Sequence, residues 1–155
     1  MLRTIVRVGI PAAVLTLILG VTVASAAPAT RGGTLRVVER ATTDTYVDLG
    51  SAGDSIGDTL TFGNDVYDAT NSRVVGRDQG TCFRTNPGLA WECTYTTLLS
   101  GGNLTVQGSF YDDLRDSELS ITGGTGRYAN ARGSLTLHAR NAQGSEFDFV
   151  FHIIG

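Results

Sequence analysis

From Leu104 to Phe110 the chain alternates. Leu104, Val106, Gly108 and Phe110 fall on one parity, and Thr105, Gln107 and Ser109 on the other. A period of two sends successive side chains to opposite faces of an extended strand, so this segment is a strand with one face buried. The pattern recurs after residue 33, and no stretch there carries the i, i+3, i+4 repeat of an amphipathic helix. It predicts strands over Thr34–Arg40, Thr59–Tyr67, Val74–Thr85, Ala90–Leu99, Leu104–Phe110, Glu118–Thr122 and Ser134–Ala139. A short extended piece covers Tyr46–Leu49, and a last strand carries Phe147, Phe149, Phe151 and Ile153 on one face. Turn chemistry separates these runs: DATNS at 68–72, NPGL at 86–89 and SGGN at 100–103. Short antiparallel strands at this spacing build a sandwich or a barrel of about eight strands. Closure into a barrel removes exposed sheet edges and leaves an interior that can hold a small ligand.

The apolar run Val8–Val23 stands outside that pattern. It follows Arg3 and Arg7 and precedes Ala24-Ser25-Ala26, the three parts of a secretory signal. Gly9, Pro11 and Gly20 interrupt it, and it is short for a membrane span of about twenty residues. The expected organisation is a leader over 1–26, a tether over 27–33 and one domain over 34–155, secreted and without membrane attachment once the leader is cleaved. Cleavage removes two of 12 basic residues and none of 15 acidic ones, leaving 10 against 15 in 129 residues. That balance has the wrong sign for a nucleic-acid partner.

Two cysteines, Cys82 and Cys93, stand in a chain bound for an oxidising compartment, which points to a disulfide. If Asn86-Pro87-Gly88-Leu89 is a simple hairpin turn, cross-strand partners sum to 86 + 89 = 175, and so do 82 and 93. Directly opposed residues have Cα atoms about 4.5–5.5 Å apart, within disulfide reach. A slip of one residue would turn the sulfurs to opposite faces and leave two thiols. His138 and His152 are the only histidines and no C-x-x-C occurs, so a metal site is not expected.

The glycines of ITGGTGRYANARG, residues 121–133, raise the question of a phosphate loop. Such a loop needs a helix after the glycines and usually a lysine. Here the next strand begins within about ten residues, and the chain contains no lysine. The glycines therefore form a tight corner between strands.

The longer stretch LTVQGSFYDDLRDSELSITGGTGRYANARGSLTL, residues 104–137, resembles the allene oxide cyclase and dirigent barrel superfamily. It has that superfamily's strand ending in glycine, its acidic linker, its GGTG corner and, at Ala131–Gly133, the ARG of the dirigent branch. FGNDVYDATNSRVVGRDQGTCF, residues 62–83, resembles the cyclase branch. The resemblance implies an eight-stranded antiparallel barrel, often a homo-oligomer. Its mostly apolar pocket would act on a small hydrophobic molecule without a cofactor, steering a reactive intermediate into one ring closure or coupling.

Position by position, the resemblance implies pocket roles for Asn64, for Phe62 beside it, for Cys82 and for Trp91. Phe110 stands where the cyclases have a tyrosine. The first-strand polar positions fall on Arg36 and Val38, with Glu39 the nearest acid, one residue out of phase. Arg127 stands where the dirigent branch has an aspartate, and Arg132 matches its ARG. Plain readings stand beside these. Phe62, Trp91 and Phe110 could be barrel core, Asn64 a local turn residue, and the two arginines partners of Asp112, Asp113, Asp116 or Glu118. Two function classes follow. One is a cofactor-independent cyclase or isomerase, with Asn64, Glu39 and Arg36 in polar roles and Phe62, Cys82, Trp91, Phe110, Arg127 and Arg132 around the substrate. The other is a non-catalytic binder or a structural exported barrel.

Overall fold

The computed structural model describes residues 32–154. The leader expected over 1–26 and most of the tether expected over 27–33 lie outside the described residues. The strands are β1 (Gly33–Arg40), β2 (Thr45–Val47), β3 (Thr59–Asp68), β4 (Val74–Asn86), β5 (Ala90–Leu99), β6 (Gly102–Tyr111), β7 (Ser117–Gly124), β8 (Arg132–Ala139) and β9 (Glu146–Ile154). The sheet runs β1-β9-β8-β7-β6-β5-β4-β3-β2, and β1 also pairs with β3, which closes it. Eight strands form the antiparallel barrel. β1 takes the Asp65–Asp68 part of the β3 edge, and β2 takes the Thr59–Thr61 part outside the ring.

The alternation read in the sequence is the alternation of the barrel. Leu104 and Val106 on β6, Leu119 and Ile121 on β7, Leu135 and Leu137 on β8, and Phe147, Phe149, Phe151 and Ile153 on β9 all belong to the buried core. Bringing such side chains out of water is worth about 1.5–3 kcal/mol each. One end of the barrel is plugged by a single turn of 3-10 helix, Gly126–Tyr128, which buries Tyr128. The GGTG glycines are the approach to this plug. Gly123 and Gly124 finish β7, and the Thr125 amide donates to the Asn103 carbonyl at 2.9 Å.

The β4–β5 hairpin shows how register is recovered after an imperfect turn. The Leu89 amide donates to the Asn86 carbonyl at 3.1 Å, and Gly88 adopts φ 71°. The first strand pair is nevertheless Asn86 with Ala90, one residue out of the simple count. A register shift between Arg84 and Asn86 absorbs the difference, and Arg84 then faces Trp91 and Cys82 faces Cys93. The cysteines are joined, with Cα atoms 4.0 Å apart. Closing this loop restricts the unfolded chain and is worth about 3 kcal/mol. Urea unfolding with and without reductant is expected to show that loss, and unreduced protein unfolded in denaturant should show no reactive thiol.

Candidate functional site

At the end of the barrel opposite the plug, the interior opens into a cavity of about 210 Å³. Its walls are apolar, with Leu60, Phe62, Phe110, Leu119, Leu137, Phe147, Phe149 and the Cys82–Cys93 disulfide. The rings lock one another in place. Phe62 meets the Tyr95 ring edge-on at 5.8 Å, and Phe110 meets Phe147 at 5.9 Å. Gly80 makes room for Tyr95, since a Cβ at Gly80 would lie 2.2 Å from the Tyr95 Cβ.

Glu39, Asp78 and Tyr95 stand among the residues that line this space. Asp78 is fully buried, and its Oδ1 accepts from the Thr97 hydroxyl at 2.8 Å. Among the described residues, its Oδ2 and the Tyr95 hydroxyl have no hydrogen-bond partner. Burial pushes the Asp78 carboxyl well above the usual aspartate range, and the neighbouring Glu39 charge pushes the same way. Glu39 is raised to about 7, chiefly by burial, against the Asn64 hydrogen bond, which favours the ionised form. Burial likewise raises the Tyr95 phenol above its ordinary value. The two carboxyls titrate as a coupled pair. The arrangement holds an aspartic acid whose neutral form burial favours, a glutamate poised near neutral pH to gain or lose a proton, and a phenol, in a largely apolar chamber. Matched acids and bases of this kind are what proton-transfer catalysis needs.

Asn64 organises the acids without facing the cavity with an unused group. Its Nδ2 donates to Glu39 Oε1 at 2.9 Å and to Asp44 Oδ1 at 2.8 Å. Its Oδ1 accepts from the Thr42 and Thr43 amides and from the Thr43 hydroxyl, at 2.9–3.0 Å. The buried amide thus spends both hydrogens on the acids and pins the 42–44 segment, whose Asp44 stands at the cavity mouth.

The remaining residues singled out in the sequence divide by position. Phe62, Cys82 and Phe110 line the cavity. Glu39 faces inward with no bulge, because β1 pairs with β9 without interruption from Gly33–Ile153 to Arg40–Glu146. Leu35, Val37 and Glu39 share that inward parity, and Arg36 is exposed on the outer face. Trp91 is buried beside the mouth, away from the cavity wall. Its indole N–H donates to Asp112 at 3.1 Å, and Arg84 stacks on its ring at 4.0 Å. Arg127 and Arg132 belong to the plugged end, far from both the cavity and the acidic run Asp112–Glu118. Arg127 lies 5.5 Å from the Tyr128 ring centroid, and Arg132 donates to the Ala131 carbonyl at 2.7 Å.

Asp78, Tyr95 and Asp44 escaped the sequence reading. A signal for the first two existed: counting by twos from Cys82 and Cys93 reaches Asp78 and Tyr95. An acid on the inward parity of a strand is costly to bury and therefore informative.

A family model described as "Dirigent-like protein" matches residues 22–153. Among solved structures, a pyocyanin demethylase is similar with a TM-score of 0.66 and 25% identity, over 77% of this chain and 100% of that one. A pterocarpan synthase dirigent protein follows at TM-score 0.65 and 18% identity, over 83% of this chain and 99% of that one. The Diels-Alderase AbmU from Streptomyces koyangensis gives TM-score 0.64 and 18% identity, over 81% of this chain and 69% of that one. No curated protein matches the sequence.

Proposed function

The chain belongs to the dirigent-like protein family, and on that premise we propose that it is an exported small-molecule cyclase or isomerase. Its barrel takes a largely apolar molecule and steers one ring closure by acid–base chemistry. The observation that carries this reading is the placement of Glu39, Asp78 and Tyr95 in the wall of a largely apolar cavity. A purely structural core gains nothing from burying two carboxyls and an unpartnered phenol, each of which costs free energy to desolvate. Export is supported by the basic, apolar and small-residue order of the first 26 residues.

In this reading the protonated Asp78 donates through Oδ2 to a carbonyl or ether oxygen of the substrate, with the Tyr95 hydroxyl as a second donor. Glu39 removes a proton from the substrate and returns it after the ring closes, so product and substrate are isomers. Phe62, Phe110, Phe147 and Phe149 select one folded conformer, which removes much of the entropic barrier to closure. Their faces also stabilise developing positive charge. The names of two structural neighbours, a pterocarpan synthase and a Diels-Alderase, suit the same class of chemistry.

Incubation of the purified protein with culture-medium extract, followed by native mass spectrometry, would identify a captured molecule. Chromatography then resolves any isomer of equal mass that forms. The Asp78→Asn protein is expected to keep the ligand and lose turnover by about 100-fold or more. A ligand that the wild-type protein releases unchanged would make the barrel a carrier and overturn the catalytic reading.

A further inference from the structure

Three non-glycine residues adopt positive φ among the described residues: Asn71, Asn130 and Leu114. Asparagine tolerates the left-handed region, but leucine does so at a steric cost. Leu114, at φ 59°, therefore marks a place where the surroundings dictate the backbone.

Those surroundings are visible. Leu114 ends the turn after β6, its amide donating to the Tyr111 carbonyl at 3.1 Å. Within the turn, Asp112 is held by both carboxylate oxygens to Arg84 Nη1 at 2.7 and 2.8 Å. It is also held by the Trp91 indole, and the Asp112 amide donates to the Leu89 carbonyl at 3.0 Å. On the far side, Arg115 stacks on the Tyr111 ring at 4.0 Å. The turn is pinned on both sides of Leu114, and the result is a half-buried leucine between exposed neighbours. Its side chain lines the cavity mouth. Across that mouth stands Gly144 of the β8–β9 turn, itself left-handed at φ 61°, where an added Cβ would lie 3.3 Å from a Leu114 methyl. Gln143 and Asp44 complete the rim.

We propose that Leu114 is the gate of the cavity and sets the size of the molecule that enters. The proposal rests on the reading of the cavity as a ligand site. The side chain partly covers an opening into an apolar space, and the strained backbone holds it there where a relaxed turn would swing it into solvent. Leu114 makes no polar contact that chemistry could use, so its role is selection by shape.

The test uses two uncharged fluorescent probes, a two-ring aminonaphthalene and a three-ring aminoanthracene, titrated into wild-type, Leu114→Ala and Leu114→Gly proteins. Shortening the gate should strengthen binding of the three-ring probe by about tenfold and leave the two-ring probe within about twofold. Thermal melting gives an independent readout. At an ordinary position glycine is less stable than alanine, but at a left-handed one the order reverses, so Leu114→Gly should melt above Leu114→Ala. An unchanged ratio of the two affinities across all three proteins overturns the gate while leaving the cavity a ligand site. A lower melting point for Leu114→Gly than for Leu114→Ala overturns the held conformation on which the gate depends. Binding of neither probe to any of the three proteins overturns the ligand site and the gate together.

Discussion

Replacing Glu39 by glutamine is expected to reduce the loss of stability that the wild-type protein suffers between pH 5 and about pH 8, with the buried Asp78 supplying the remainder. The Glu39 pKa is raised from 4.5 to about 7 in the folded protein, chiefly by burial. The native state therefore binds this proton more tightly than the unfolded chain does. The resulting stabilisation is fully present below the unfolded value and is lost as pH rises through the folded one. A rise of this size corresponds to about 3 kcal/mol. Asp78 acts in the same direction, since its pKa is also raised. Two other acids act oppositely. Asp58 and Asp68 are lowered to about 2 by hydrogen bonds, the first from Tyr46 and the second from the Ser72 amide. Their contribution is present above 3.8 and fades as pH falls towards 2. Stability should therefore peak at mildly acidic pH. Melting curves at intervals across this range test it, with the difference between wild-type and Glu39→Gln giving the part that depends on the Glu39 charge, its coupling to Asp78 included. Glutamine keeps an oxygen able to accept from Asn64 and carries no charge to desolvate. A wild-type protein that grows more stable from pH 5 to about pH 8 would show that Glu39 is not a buried acid.

That acid also shows where the sequence was legible and where it was not. The stripe Phe147, Phe149, Phe151 and Ile153 and the row Leu104, Val106 and Phe110 need only their own period to be assigned to the interior, and Cys82 meets Cys93 by a count across one turn. In β1, Val37-Val38-Glu39 breaks the alternation, because both faces of the strand are covered there. Local pattern then fails to say which way Glu39 points, and only the pairing with the phenylalanine stripe of β9 decides it. Asp78 was hidden for a different reason: an acid in a strand reads as outward until burial is known. The placement of Arg127 and Arg132 depends on which end of the barrel opens, a property of the closed ring that no single motif carries. Leu114 was beyond reach altogether, since nothing in the identity of a leucine announces a left-handed backbone.

Gly133→Ala is expected to prevent folding, at a cost of more than about 4 kcal/mol. Gly133 lies in the ARG of the corner, where the resemblance to dirigent proteins draws attention to Arg132. The geometry shifts that weight to its neighbours: Ala131 is buried at 1% exposure, and Gly133 has φ 132°, a conformation L side chains rarely adopt. A Cβ on Gly133 would stand 1.9 Å from the His152 carbonyl oxygen and 3.3 Å from the Ile154 amide nitrogen. Both obstacles are backbone, so no rotamer change relieves them. The strand cannot retreat either, because Gly133 pairs with Ile121 on one side and Ile153 on the other. Moving it would break ladder hydrogen bonds on both sides and leave buried groups without partners. Gly123, in the same corner, has nothing within 4 Å of an added Cβ, and Gly123→Ala should stay within about 0.5 kcal/mol of wild-type. Arg132→Ala should do the same, since the Arg132 side chain is exposed and, among the described residues, bonds only the preceding carbonyl of Ala131. Soluble yield and urea midpoints for the three proteins decide the matter. A Gly133→Ala protein that folds with the wild-type midpoint, or an Arg132→Ala protein that does not fold, would return the weight of the motif to its arginine.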